Sequence, residues 1–143
     1  MLIGLIGESC TGKTTLANQI KELIGADIYS GKDYLRLAKN ENDARKLFMR
    51  KLESAIAGEN IIYIISEIDH LSLLPDGAFK ILITADLEII KERFAARMNG
   101  KLPAPVATML DKKHGCFDQE ACSLHIHNGH PDVDYVCQCI QNS

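Results

Sequence analysis

The run Gly7-Glu8-Ser9-Cys10-Thr11-Gly12-Lys13-Thr14 has a spacing that dictates a chemistry. It matches G-x-x-x-x-G-K-[ST] at every fixed position, and each fixed position has a mechanical reason. The glycines let successive backbone N–H groups turn inward around an anion, and a helix that starts at the second glycine adds its positive end. The Lys13 ammonium is placed to reach the outer phosphates of a nucleoside triphosphate, and the Thr14 hydroxyl to join the shell of a Mg²⁺ ion. Gly7, Glu8, Ser9, Cys10, Thr11, Gly12, Lys13, Thr14 and the adjoining Thr15 are therefore the candidate nucleotide-binding residues, and MgATP is the expected ligand.

Such a loop needs a strand before it and a helix behind it, and the sequence supplies both. Leu2–Ile6 reads as a strand; Leu16, Ala17, Ile20 and Leu23 recur at helical spacing, and Gly25 closes that helix. A short second strand follows at Ala26–Tyr29. Residues 32–57 read as helix, with Ala44, Leu47, Phe48, Leu52, Ala55 and Ile56 on its apolar face. Ile61–Ser66 is an uninterrupted apolar run, as expected of a central strand buried on both faces. Pro75-Asp76-Gly77 leads to a fourth strand, Phe79–Thr84, and a helix from Asp86 to about Arg97 comes next. Met98–Val106 holds Gly100, Pro103 and Pro105 and reads as an exposed loop, followed by a helical turn or two near Thr108–Lys113. The fifth strand is expected around Ala121–Ile126. Asn128-Gly129 turns the chain, and Pro131 opens a helix with Val133, Val136, Cys137 and Ile140 as its stripe. Strands alternating with helices from end to end signify an α/β domain with a parallel sheet.

At 143 residues the chain is the size of one ordinary domain and is read as one unit, 1–143. Sixteen basic against nineteen acidic residues leave a net charge of −3 with the cations scattered, so no nucleic-acid surface is expected. Apolar stretches such as Ile61–Ile65 are strand-sized, so no membrane span is expected. Met1-Leu2-Ile3-Gly4 has no basic n-region and runs straight into the loop; cleavage of a leader would destroy the site, and none is expected. Cys10, Cys116, Cys122, Cys137 and Cys139 include no C-x-x-C pair and read as reduced thiols, which points to the cytoplasm.

The sequence lacks the N/T-K-x-D segment of GTPases and the S-G-G-Q signature of transporter ATPases. Two further segments resemble the nucleoside-monophosphate kinase family, adenylate and cytidylate kinases among them. Ser30-Gly31-Lys32-Asp33-Tyr34-Leu35-Arg36 resembles the S-x-x-D-x-L-R segment of that family, and Glu92-Arg93-Phe94-Ala95-Ala96-Arg97 resembles its E-R-x-x-x-R lead-in to a mobile lid. The resemblance implies a small P-loop kinase: a single three-layer α/β/α domain whose five-stranded parallel sheet runs in the order 2-3-1-4-5. It implies that Asp33 and Arg36 bind the acceptor, within a helical segment over about 30–57. Arg93 and Arg97 would act with Lys13 on the transferring phosphoryl, ahead of a short lid over about 98–113. The implied reaction moves the γ-phosphoryl of MgATP to a small-molecule acceptor, a nucleoside monophosphate or similar phosphorylated metabolite. A hydroxyl acceptor, as in shikimate and sugar kinases, and a nucleotide-binding regulatory module without efficient transfer are the alternatives.

The sequence departs from the family's pattern at two places. The third strand runs into Ser66-Glu67-Ile68-Asp69-His70, without the arginine of the family's D-G-F-P-R-like segment; Glu67, or Asp69, is the acid there for the Mg²⁺ shell. Asp111 is followed by Lys112, Lys113 and His114 where the family's D-x-x-R carries an arginine, and lysine offers a point charge without the bidentate fork. Taken alone, Asp33 and Arg36 also fit a surface i, i+3 ion pair, and Arg93 and Arg97 the solvated face of a helix. Near the end, His125, His127, His130, Cys137 and Cys139 follow no common structural zinc spacing. His125 and His127 are expected on opposite faces of the fifth strand, and no zinc site is expected.

Overall fold

The computed structural model describes residues 1–129 and 131–143. In chain order the elements are β1 (Leu2–Ile6), α1 (Lys13–Ile24), β2 (Asp27–Ser30), α2 (Glu41–Ala55), β3 (Ile61–Ile65) and β4 (Phe79–Thr84), then α3 (Leu87–Arg97), α4 (Ala104–Lys113), β5 (Leu124–His127) and α5 (Val133–Gln141). All strand pairs are parallel and the sheet order is β2-β3-β1-β4-β5, the order that the family resemblance implied. Among the described residues no helix is long and apolar enough to cross a membrane.

Alternation along the strands sorts the core into two layers. Leu2, Ile6, Ile61, Tyr63, Ile65 and Leu82 face α2 and Phe117. Ile3, Leu5, Ile62, Ile64, Ile81 and Ile83 face α1 and α5, which contribute Leu16, Ala17, Ile20, Val136, Cys137 and Ile140. β1 and β3 are buried along their whole length. Burial on both faces is why they lack the polar alternation of a half-exposed strand. A third apolar cluster, Cys10, Ala85, Ile90 and Leu110 with Phe94, Leu102 and Val106 packed on it, seats α3 and α4 over the glycine loop.

Several boundaries differ from the sequence reading. The segment 32–57 is not one helix: a 3₁₀ turn, Asp33–Leu37, ends at an extended Ala38, and α2 starts afresh behind Asn40, whose side chain accepts from the Asp43 N–H at 3.2 Å. That cap satisfies an orphan donor of the first turn and fixes the new start. The loop after α3 is shorter than Met98–Val106, because α4 already begins at Ala104 with Pro105 in its first turn. Proline costs nothing there, since no intrahelical acceptor awaits its missing N–H. β5 starts at Leu124 rather than near Ala121, and β2 runs one residue later than read. The link after β3 contains a 3₁₀ stretch, Ile68–Leu73.

Phe48 of α2 is the centre of the α2 layer. Its ring lies 5.2 Å from that of Tyr29, 5.5 Å from Tyr34 in a stacked pose and 4.9 Å edge-on from Tyr63. Because Phe48 is fully buried, Phe48→Ala is expected to lower unfolding free energy by about 3–5 kcal/mol in urea titration. A loss under about 1 kcal/mol would mean that α2 does not pack there.

Candidate functional site

The glycine loop is held at its first residue. The Gly7 N–H donates to the Ile65 carbonyl at 3.1 Å, tying the loop to the end of β3. A Cβ on Gly7 would stand 2.2 Å from the Ile83 carbonyl oxygen, so no other residue fits between β3 and β4 at this point. At the other end Gly12, at φ +97°, swings the chain into α1, where the Leu16 N–H donates to its carbonyl at 3.1 Å.

Inside the loop, polar groups close on the Glu8 carbonyl. It accepts from the Thr11 hydroxyl at 2.8 Å and from Lys13 Nζ at 2.5 Å, with Nζ 3.4 Å from Thr11 Oγ1. Lys13 is only 4% exposed. Burial disfavours its charged form and pushes its pKa down to about 8, with the nearby Arg97 guanidinium acting in the same direction. Cys10 is a non-glycine residue in the left-handed region, at φ +64°. Its carbonyl accepts from Arg93 Nη1 at 3.0 Å, and its side chain is buried in the α3–α4 cluster, so both ends of the residue are fixed.

Three cavities surround this loop. The first, of about 350 Å³, lies between α1, α3 and the turn after β5 and is lined by Cys10, Gly12, Thr15, Leu16, Gln19, Ile83, Arg93, Ala96, Arg97, Gly129 and Pro131 among others. The second, of about 120 Å³, opens on the other side of the loop, with Ser9, Lys13, Thr14, Thr15, Ser30, Ile64, Ser66 and Arg97 on its walls. Arg97 lines both. The third, of about 330 Å³, sits at the ends of β4 and β5 and touches Glu8, Thr84, Asp86, His114, His125 and His127.

Of the residues singled out in the sequence, Lys13, Arg93 and Arg97 come together at the loop with Thr14 and Thr15. Asp33 and Arg36 do not line these cavities. Asp33 Oδ2 accepts from the Ser30 N–H at 2.9 Å, closing the turn after β2, and the Arg36 guanidinium lies over the Tyr29 ring at 4.7 Å. Glu67 receives Lys113 Nζ at 3.0 Å on both carboxylate oxygens, so the acid at the end of β3 and the α4 lysine are each other's partners. The Asp69 side chain is exposed.

The sequence reading missed what the Glu8 side chain does. Its carboxylate, in a residue only 8% exposed, meets His114 Nδ1 at 3.1 Å and accepts from the Gly115 N–H at 3.2 Å. No local signal marks a contact between residues so distant in the chain. The reading of the two histidines was wrong. His125 Nε2 and His127 Nδ1 both reach Thr84 Oγ1, at 2.8 and 2.6 Å, because residues two apart on a strand share a face. Among the described residues no group of three His, Cys, Asp or Glu side chains is placed to hold a metal ion; His130 lies outside them.

No family model matches this chain, and no curated protein sequence matches it. Its fold is similar to solved structures. A sugar kinase from Janibacter sp. HTCC2649, without ligand, is 15% identical with a TM-score of 0.67, over 98% of this chain and 94% of that one. Shikimate kinase from Acinetobacter baumannii, in complex with shikimate, is 15% identical with a TM-score of 0.63, over 99% and 90%. A tunicamycin resistance protein from Deinococcus radiodurans is 20% identical with a TM-score of 0.63, over 99% and 93%. The fold is that of the P-loop kinases.

Two outcomes are expected. Below pH about 8 the folded protein holds Lys13 charged against its burial, a cost that fades as pH rises toward the ordinary value of 10.5. Triphosphate binding needs the charged form and has the opposite dependence. The association constant for MgATP should fall roughly fivefold to tenfold between about pH 7.5 and about pH 9, a slope absent in Lys13→Ala. Calorimetry over that range checks it; an affinity independent of pH removes Lys13 from the site. Cys10→Gly should be more stable than Cys10→Ala by about 1 kcal/mol in thermal unfolding, since both lose the thiol and only glycine relieves the left-handed strain. The usual order, alanine above glycine, would mean that Cys10 is unstrained.

Proposed function

We propose that the protein is an ATP-dependent phosphotransferase acting on a small hydroxyl-bearing acceptor. The observation that carries this reading is the meeting of three cations on one phosphate loop, Lys13 from α1 with Arg93 and Arg97 from α3. Phosphoryl transfer asks a protein for little covalent chemistry; it asks for alignment and for charge around three equatorial oxygens. In this reading Lys13 Nζ leaves the Glu8 carbonyl for the outer phosphates of ATP. Arg93 keeps the Cys10 peptide in the shape that presents its neighbours' N–H groups. Arg97, on the walls of both cavities, stands between donor and acceptor and meets the moving group.

The donor set for Mg²⁺ is the Thr14 hydroxyl and the Glu67 carboxylate, hard oxygens of the kind that ion prefers. Glu67 is held by Lys113 in a half-exposed pair, and such pairs contribute about 1 kcal/mol or less, little enough for a dication to displace. Bound there, the ion would neutralise charge on the phosphate oxygens. Residues 98–113 act as a lid in this reading, and 30–57 carry the acceptor side.

The acceptor side favours a hydroxyl compound. Its cavity of about 120 Å³ is walled by Ser9, Ser30 and Ser66, and Arg97 and Lys13 supply its charge. Sugar and shikimate kinases are among the structures of similar fold. The second reading, a phosphorylated acceptor such as a nucleoside monophosphate, keeps one observation in its favour. Arg36 is exposed, and its tie among the described residues is its stacking on Tyr29, a contact worth about 0.5–1 kcal/mol at such sites that leaves it able to swing toward a phosphate.

Single-turnover assays with MgATP against a panel of polyols, hydroxy acids and nucleoside monophosphates test both readings. Transfer to a hydroxyl compound faster than to water is expected. Arg97→Lys should lower kcat at least tenfold, about 1.4 kcal/mol, with ATP affinity little changed, since lysine keeps the charge and loses the planar fork. Faster transfer to the monophosphates would replace the acceptor. A parent that binds ATP tightly and transfers to nothing would leave a regulatory module.

A further inference from the structure

We infer that Asn99 is a site of spontaneous modification, deamidation through a cyclic imide, and that the fold protects the chain's other Asn-Gly pair from the same reaction. The inference is independent of the nucleotide reading. The sequence contains two such pairs, Asn99-Gly100 and Asn128-Gly129. Glycine has no side chain to shield its main-chain nitrogen, which attacks the amide carbon of the asparagine before it. A bond forms between the glycine nitrogen and the asparagine Cγ, the Cγ–Nδ2 bond breaks, and the glycine's proton leaves with Nδ2 as ammonia. Water then opens the imide ring at either carbonyl and leaves aspartate or isoaspartate, so water is taken up and ammonia lost.

Both asparagines are exposed and both lie in the left-handed region, at φ +62° and +52°. That geometry turns the following nitrogen away from the side-chain carbon, so each turn must open before the ring closes. The cost of opening sets the rate, and the two turns differ in it. At the first, the Gly100 N–H donates to the Ala95 carbonyl at 2.8 Å, a cap on the last turn of α3, and the Asn99 side chain has no hydrogen-bond partner among the described residues. A Cβ on Gly100 would meet nothing within 4 Å, so the segment has room to rearrange. Leu102 packs on the α3–α4 cluster, which confines the opening to the few residues before it. Such helix ends fray at little cost. At the second, the Asn128 N–H donates to the Thr84 carbonyl at 2.9 Å, its Nδ2 to Asp86 Oδ2 at 2.8 Å, and its Oδ1 accepts from the Asp86 N–H at 2.7 Å. These bonds join the ends of β4 and β5, so this turn opens only as two strand ends separate. Conversion at Asn99 adds a carboxylate just past the C-terminus of α3, the negative end of the helix dipole, and isoaspartate also lengthens the main chain within the cap.

The test incubates the folded protein at mildly alkaline pH and follows both asparagines by peptide mapping in a mass spectrometer, beside a sample in urea and the variant Asp86→Ala. In the folded parent Asn99 is expected to convert at least about tenfold faster than Asn128, and in urea the two rates to come within about threefold. Asp86→Ala, shown to be folded by circular dichroism, should raise the Asn128 rate at least about threefold and leave Asn99 unchanged. Equal rates in the folded parent, or a faster Asn128, overturn the inference. A gap that persists undiminished in urea assigns the selectivity to neighbouring sequence and overturns it too. An unchanged Asn128 rate in the folded variant removes the Asp86 fastening as the protecting device. If the variant does not fold, the folded and urea-treated parent decide between fold and sequence.

Discussion

A buried ammonium governs this molecule. Lys13 is packed inside a loop of backbone, and its nearest compensation is the main-chain oxygen of Glu8 at 2.5 Å. A charge at that depth is tolerable only if the surrounding dipoles are fixed. The rest of the loop supplies that fixity. Gly7 is wedged between β3 and β4, Thr11 shares the Glu8 carbonyl, and Cys10 is held in a left-handed conformation by Arg93 on its carbonyl and by the α3–α4 cluster around its side chain. Strain at Cys10 and burial at Lys13 are two consequences of the shape of this loop, and both cost stability.

Glu8 extends the same constraint outward. Its carbonyl serves Lys13 while its carboxylate holds the His114–Gly115 segment, so the loop and the end of α4 share one residue. The remaining polar ties of α4 are of a different kind. Lys91–Asp111 and Lys113–Glu67 lie on the surface, where an ion pair contributes little and is screened by salt. The α4 segment is thus held at its end by a buried carboxylate and along its length by the apolar cluster that takes in Leu110 and Val106.

Much of the fold was legible because it depends on local pattern. Buried parallel strands require continuous apolar runs, and Leu2–Ile6, Ile61–Ile65 and Phe79–Thr84 were all visible as such. The phosphate loop was legible because each of its fixed positions answers a steric or electrostatic demand. The boundaries missed were those set by single capping events: Asn40 restarts α2, and Pro105, read as a loop signal, sits where a helix accepts it. The partners of Glu8, Asp33, Arg36 and Glu67 were not legible. Each was read from its type as ready for a ligand, whereas a charged side chain takes whatever the fold brings within reach: a helix end, a turn N–H, a tyrosine face and a lysine. Only the tertiary arrangement carries that information.

The histidine pair shows how such contacts still serve the site. Asp86 Oδ1 lies 3.3 Å from His127 Nε2, which makes that nitrogen the proton-bearing one in the neutral ring. Nδ1 of His127 is then an acceptor, the Thr84 hydroxyl donates to it, and the Thr84 oxygen is left to accept from His125 Nε2–H. The chain of bonds runs in one direction, from His125 through Thr84 and His127 to Asp86. Asn128 locks onto the same place: its N–H donates to the Thr84 carbonyl at 2.9 Å, its Nδ2 to Asp86 at 2.8 Å, and its Oδ1 accepts from the Asp86 N–H at 2.7 Å. Asn128 itself is at φ +52°, a left-handed turn that these bonds over-determine. The next residue, Gly129, lines the first cavity together with Pro131. Histidines that look like metal ligands in the sequence therefore act here as the fastening of a turn, and that turn forms one wall of the first cavity.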